Sequence, residues 1–193
     1  MATPTTPDRI LNVAERLAQT QGFNGFSYAD IAKEVRMTKA SLHYHFPSKA
    51  DLGRRLLERY TAAFAAALHD IDATTERAAD KLERYAALYR SVLAKNRMCL
   101  CGMLASEFTT LPKAMREGVV AFFVANEAWV AKVLDEGLAQ GALRFTGPTP
   151  EAAARLVASL EGAMMLARSF GDPVRFEAAA RTLLTELAAP TTQ

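Results

Sequence analysis

Residues 27–49 read SYADIAKEVRMTKASLHYHFPSK, and this stretch decides the fold. Ser27-Tyr28-Ala29-Asp30 has the spacing of a capping box, in which a hydroxyl faces a carboxylate three residues on. Ile31, Ala32 and Val35 then fall on one helical face. After Arg36-Met37, Thr38 can cap a second short helix that turns Leu42 and Phe46 inward. Pro47 stops it, because proline brings no amide to the helical ladder. Ser48-Lys49-Ala50-Asp51 repeats the capping-box spacing and opens the next helix. Two short amphipathic helices joined by a few residues make a helix-turn-helix.

With Leu42 and Phe46 buried, Lys39, Ala40, Ser41, His43 and Tyr44 stand on the N-terminal and outer surface of the second helix. Small residues there let the backbone approach base edges. Lys39 can donate to guanine acceptors, and His43 or Tyr44 can reach bases or phosphates. Lys49 lies at a helix N-terminus, where open amides and the dipole favour a phosphate. Ser27 and Tyr28 offer a second phosphate clamp at the start of the preceding helix. The competing reading is a three-helix bundle with incidental polar surface.

Outward from this core the punctuation stays helical. Thr6 before Pro7 reads as a cap plus first turn. Ile10, Val13, Ala14, Leu17 and Ala18 follow as a buried stripe that Gly22 ends. Beyond residue 50 lie long Ala- and Leu-rich helices, broken near 72–76, 95–98, 110–112, 141–149 and 171–173. Thr149-Pro150 and Asp172-Pro173 again read as cap plus first turn. Without a convincing strand alternation or an internal repeat, the chain reads as all-α with about nine helices.

The 193 residues suffice for a real core, and 50% hydrophobic with 23% charged residues is ordinary for a globular protein. No apolar run approaches a membrane span. The opening MATPTTP has neither the basic nor the apolar region of a signal peptide, and two cysteines make no disulfide framework, so a reducing cytoplasm is expected. The net charge of +2 is uneven: residues 1–60 carry nine Lys/Arg against six Asp/Glu, while the remainder is slightly acidic. That excess hints at an anionic partner for the N-terminal part.

Both cysteines fall in NRMCLCGML (96–104). Their spacing is not the C-x-x-C of a zinc clip or redox pair, and no metal or cofactor motif appears. Two residues apart on a helix they would point about 200° from each other. Cys101 continues the stripe Leu104, Ala105 and Phe108 and reads as packing. Cys99 lies with Met103 and Ser106, near Lys95, Arg97 and the helix start, surroundings that favour a thiolate if the sulfur is partly exposed.

Residues 9–57 resemble the DNA-binding domain of the TetR (tetracycline-repressor-like) family of bacterial transcription regulators. The matching residues are Gly22-Phe23, Phe26-Ser27, Asp30-Ile31-Ala32, Met37-Thr38, Leu42, His45-Phe46, Ser48-Lys49 and Leu52. Two positions depart from the pattern: Arg36 replaces a turn glycine, and His43 a frequent tyrosine. The resemblance implies a helix-turn-helix domain over residues 1–52, with operator contacts from the third helix and its cap Thr38. It assigns phosphate contacts to Ser27, Tyr28, Tyr44, His45 and Lys49. Residues 53–193 would form an α-helical domain for effector binding and dimerisation.

The family's two-fold dimers read two half-sites of a palindrome. The resemblance implies that the last two helices of each subunit form a four-helix bundle, with Ala158, Gly162, Phe176, Ala180, Leu183 and Leu187 as candidates. Candidate effector residues are Tyr85, Tyr89, Cys99, Met103, Phe108, Phe122, Trp129, Glu161 and Met165. They supply soft, aromatic or polar walls for an apolar, aromatic or electrophilic small molecule. The expected function is a repressor that leaves its operator when the effector binds. The same fold could instead sense electrophiles or oxidants through Cys99. Two remoter alternatives are a cysteine enzyme, for which no nucleophile elbow or phosphate loop appears, and a helical protein-binding adaptor.

Overall fold

The structure, a computed structural model, describes residues 5–189; the first four residues of the MATPTTP stretch lie outside them. Among the described residues there are nine α-helices: α1 (Thr6–Gln21), α2 (Tyr28–Val35), α3 (Lys39–His45), α4 (Lys49–Thr74), α5 (Ala78–Leu93), α6 (Leu100–Ser106), α7 (Lys113–Ala139), α8 (Thr149–Ser169) and α9 (Val174–Leu187). A 3-10 turn, Phe108–Thr110, follows α6. One isolated antiparallel bridge pairs Leu143 with Ala188.

The local signals explain most boundaries. Asp51 N–H donates to Ser48 Oγ at 3.1 Å, and the Ser48 hydroxyl donates back to the Asp51 carboxylate at 2.6 Å. Ser27 donates through both its amide and its hydroxyl to Asp30, at 2.8 and 2.7 Å. Thr38 Oγ1 accepts from Ser41 N–H at 3.1 Å. The first cap falls one residue earlier than expected: Thr5, not Thr6, pairs reciprocally with Asp8, because only Thr5 has a carboxylate three residues on. Thr149 is not a cap either; it is the first residue of α8, and its hydroxyl donates to Asp135 Oδ1 at 2.7 Å. The cap position of α9 is Pro173, and Asp172 just before it accepts from Val174 N–H at 3.0 Å.

Contacts part the chain into two compact units, one of residues up to Ala63 with Cys99–Phe122, the other of Phe64–Met98 with residues from Phe123 on. In the first, Ile10, Ile31, Leu42, Leu52, Leu56, Leu100 and Leu104 are fully buried. Gly53 lets α4 pack closely here: a Cβ would collide with Met115 and stand 2.7 Å from the Phe23 ring. Arg59 of α4 reaches Glu15 at 2.7 Å and Asn12 at 2.9 Å on α1. The Tyr28 hydroxyl, at the start of α2, donates to the Phe46 carbonyl at 2.8 Å and ties α2 to the end of α3.

In the second unit α5, α8 and α9 pack together, with Tyr89 stacked on Phe176 at 6.3 Å. Phe176, Ala180 and Leu187 are buried within the chain itself, at 0%, 1% and 7% exposure. Their helical spacing is accounted for by packing inside the chain, against α5 and α8.

Arg36 carries two testable consequences with Tyr28. Arg36 caps α2 in the left-handed region at φ 56°, ψ 51°, where a side chain is disfavoured by about 1–2 kcal/mol. Arg36→Gly is expected to raise stability by about 1 kcal/mol in urea denaturation. Tyr28→Phe leaves the buried Phe46 carbonyl without its donor and is expected to cost about 1–3 kcal/mol. Burial, then Asp51, pushes the Tyr28 phenol up to about 12. Below the ordinary tyrosine pKa both states keep the proton and its contribution is complete. As pH rises from there through about 12 the unfolded state ionises first and stability falls, a loss that Tyr28→Phe should diminish in alkaline melting curves.

Candidate functional site

A seven-residue helix, α3, carries the charged and hydrogen-bonding surface. Leu42 points fully inward and Phe46 is 5% exposed, while Tyr44 is 84% exposed. Lys39, Ala40 and His43 are exposed, and Ser41 and His45 half-buried. Thr38 and Ser27 are exposed as well. The expected outer face therefore exists. His43 is held in place: its ring lies 4.7 Å from that of Tyr28, and Nδ1 is 3.1 Å from the Pro47 carbonyl. If Nδ1 carries the proton to donate there, Nε2 is left as the nitrogen for an outside partner. Tyr44 meets His45 edge-on at 5.2 Å.

Tyr28 and Lys49 sit less openly than their phosphate roles suggest. The Tyr28 hydroxyl donates inward to Phe46. Lys49 turns its ammonium onto the Phe26 carbonyl and over the rings of Phe26 and Phe23, at 4.5 and 4.9 Å. Burial lowers its pKa against the pull of Glu107 and Asp30. An ammonium has three donors, so one carbonyl does not exhaust it. Phe26, Ser27, Tyr28, His43 and Lys49 together line a recess of about 260 Å³. The aromatic seat of Lys49 is built from two residues of the family motif, Phe23 and Phe26, whose spacing alone does not reveal it.

The candidate effector residues divide between the two units. In the first, Cys99 immediately precedes α6 as its cap position and is 2% exposed, and Cys101 is fully buried. The opposition expected of two helical cysteines therefore does not separate an exposed thiol from a packed one, since Cys99 is not yet helical. The Tyr60 hydroxyl donates to Cys99 Sγ at 3.6 Å, and the Tyr60 ring lies 5.8 Å from Phe122. Burial foremost, with Cys99 adding to it, raises the Tyr60 pKa well above its ordinary value. Met103 is half-buried. Phe108 falls outside α6 in the 3-10 turn and is 37% exposed, so the stripe drawn through it ends earlier.

In the second unit Tyr85, Tyr89 and Trp129 form one cluster. Tyr85 lies 5.5 Å from each of the other two rings, and its hydroxyl donates to Asn126 Oδ1 at 3.2 Å. Trp129 Nε1–H donates to Asp72 at 3.1 Å. Buried Lys81 bridges Asp72 and Glu136 at 3.1 and 2.7 Å. Glu161 is half-buried, whereas Met165 is 49% exposed and belongs to the surface. A cavity of about 320 Å³ in this unit is lined by Arg144, Phe145, Arg155, Leu156, Leu183 and Leu187 among others, and holds none of the candidate effector residues.

Of the candidate dimer residues, Ala158 and Gly162 are exposed on α8 and Leu183 is half-buried. Met165, Leu166 and Phe170 extend that exposed side of α8 at helical spacing, the last two 59% and 62% exposed. No helix among the described residues is long and apolar enough to cross a membrane.

The family described as bacterial regulatory proteins, tetR family, matches residues 10–56, and a tetracyclin repressor-like C-terminal domain matches residues 78–183. Escherichia coli NemR, an HTH-type transcriptional repressor, is 26% identical over 171 residues, covering 84% of each chain. The crystal structure of a TetR-family regulator from Agrobacterium tumefaciens superposes with a TM-score of 0.92 at 35% identity, covering 95% of this chain and 97% of that one. The reduced form of E. coli NemR superposes at 0.83 with 25% identity, covering 97% of this chain and all of the other. With a reading head, a helical C-terminal part and these matches along its length, the chain belongs to the TetR family of bacterial transcriptional regulators.

Proposed function

We propose that this protein represses transcription as a cytoplasmic homodimer and is released from a palindromic operator by a small-molecule effector. The observation that carries this reading is the two-sidedness of α3: Leu42 and Phe46 are buried while Lys39, Ala40, His43 and Tyr44 face outward. Residues 1–52 form the operator-reading domain and residues 53–193 the effector and dimerisation domain. Base edges fall to Lys39, Ala40, Ser41 and His43, and phosphates to Ser27, Thr38, Tyr44, His45 and the remaining donors of Lys49.

The exposed side of α8, with Ala158, Gly162, Met165 and Leu166, supports an isologous helix pair across a two-fold axis. Effector binding favours the conformer whose heads no longer match the half-site spacing, and α4, which starts at Lys49, is the element that shifts. Tyr85, Tyr89 and Trp129 supply aromatic walls and hydroxyls for an apolar or aromatic effector. A second reading is favoured by one contact, the Tyr60 hydroxyl on Cys99 Sγ: the residue is 2% exposed, which opposes a thiolate, but a donor there works against that burial, and an electrophile or oxidant would then be the effector.

Selection from a random duplex pool tests the first reading. The dimer is expected to enrich a palindrome, with affinity falling steeply as salt rises. Lys39→Ala should cost about 1–3 kcal/mol on that site and relax the preference at one base position. Equal affinity for selected and random duplexes at physiological salt would remove the reading. A thermal-shift screen of quinones, aldehydes and aromatic acids should raise the melting temperature for the effector's class. Cys99→Ser separates the two effector readings: it abolishes release by electrophiles if the thiol is the sensor and leaves it intact otherwise.

A further inference from the structure

Glu107 follows α6 directly, and its carboxylate is taken up by backbone 84 residues away in sequence. Oε2 accepts from Phe23 N–H at 2.6 Å and Oε1 from Asn24 N–H at 3.1 Å. Next to it Asn24 Nδ2 donates to Thr110 Oγ1 at 2.7 Å. These amides lie in the connection between α1, which ends at Gln21, and α2, which begins at Tyr28, so no helical ladder supplies their acceptors. Gly22 leaves room for the carboxylate: a Cβ there would stand 2.8 Å from Glu107 Oε1, and its φ of +85° already disfavours a side chain. Two amides on one carboxylate form the charge-assisted, stronger class of hydrogen bond.

What the carboxylate holds is the support of the reading head. The Phe23 ring, 3% exposed, lies under the Lys49 ammonium and against the bare Cα of Gly53 on α4. Three residues further on, the Phe26 carbonyl accepts from Lys49. Tyr28 then opens α2 and pins the end of α3. The attitude of α2 and α3 on α4 therefore follows from where the Phe23–Asn24 backbone is fixed.

We infer that Glu107 is a positioning residue for operator recognition, latching the α1–α2 turn to the end of α6 so that α3 is presented in one attitude. This rests on the operator-binding reading and deepens it. The latch sets the fit of α3 to base edges, whereas the general attraction for phosphates comes from the basic groups of the head.

The test compares the full-length wild-type protein with Glu107→Ala and Glu107→Gln. Affinity is measured on the duplex that the wild-type chain selects from a random pool and on a random-sequence duplex, each across a salt series. Hydrogen exchange is followed at the Phe23 and Asn24 amides. Glu107→Ala is expected to lose about tenfold or more on the selected duplex, about one hydrogen bond to a charged acceptor. It should lose no random-duplex affinity, since only a negative charge near Lys49 is removed, and should exchange Phe23 and Asn24 faster. Glu107→Gln, which keeps the length but offers one acceptor and turns a donor towards an amide, should fall between, and it supplies the readout if the alanine variant does not fold. Unchanged affinity for the selected duplex, or equal losses on both duplexes, overturns the latch while leaving operator binding intact. If the wild-type chain selects no sequence, the operator reading fails and the latch with it.

Discussion

A helix of seven residues cannot hold itself in water, since isolated helices below about a dozen residues are marginal, and α3 is that short. Its conformation is therefore borrowed from the burial of Leu42 and Phe46, from the Thr38 cap, and from the Tyr28 hydroxyl on the Phe46 carbonyl. Each anchor sits within one turn of a residue that faces outward. Leu42 is next to Ser41 and His43, and Phe46 next to His45. The chemistry of the surface and the packing of the interior are thus fixed by one set of bonds, and the outer side chains cannot drift without disturbing the core.

Lys49 shows the same economy at the start of α4. A cation over two phenyl rings with its ammonium on a carbonyl is partly desolvated, and its lowered pKa records that cost. In return the charge is held at one place beside Tyr28 and His43, where a long lysine in water would sweep a wide volume. A fixed charge next to a helix N-terminus meets a phosphate with less ordering left to do.

The head was legible in the sequence because its signals are local. Capping boxes, a terminal glycine, a stopping proline and a two-residue apolar anchor all act within four residues, and apart from the first cap, which falls on Thr5 and not on Thr6, each appears where its spacing places it. Arg36 shows how far the pattern is obeyed: the left-handed turn survives although the glycine that would ease it is absent. What sequence could not settle was whose surface buries a stripe. Phe176, Ala180 and Leu187 have the periodicity of a packed face, and periodicity is the same whether the neighbour is α5 or a second chain. The opposition of the two cysteines missed for a different reason. The angle between two cysteines presumes that both are helical, and Cys99 precedes the first helical residue. Nothing in the sequence points to the contacts of Glu107, since its partners are backbone amides, and backbone leaves no mark in a sequence pattern.

The two units also differ in what fills them. The first is closed mainly by aliphatic and aromatic side chains, with Gln19 and the Tyr28 hydroxyl buried among them and bare Cα atoms at Gly53 and Gly118 where helices meet Phe23, Met115 and Leu57. Such packing has few alternative arrangements, because displaced apolar atoms lose their contacts outright. The second buries hydroxyls and charges that satisfy one another: Tyr85 with Tyr89 and Asn126, and Lys81 between Asp72 and Glu136. Replacing one of these hydrogen bonds by an equivalent one changes the net free energy little, whereas breaking it unreplaced is expensive. An interior of that kind can exchange a partner for a polar group on a small molecule, and an aliphatic interior cannot.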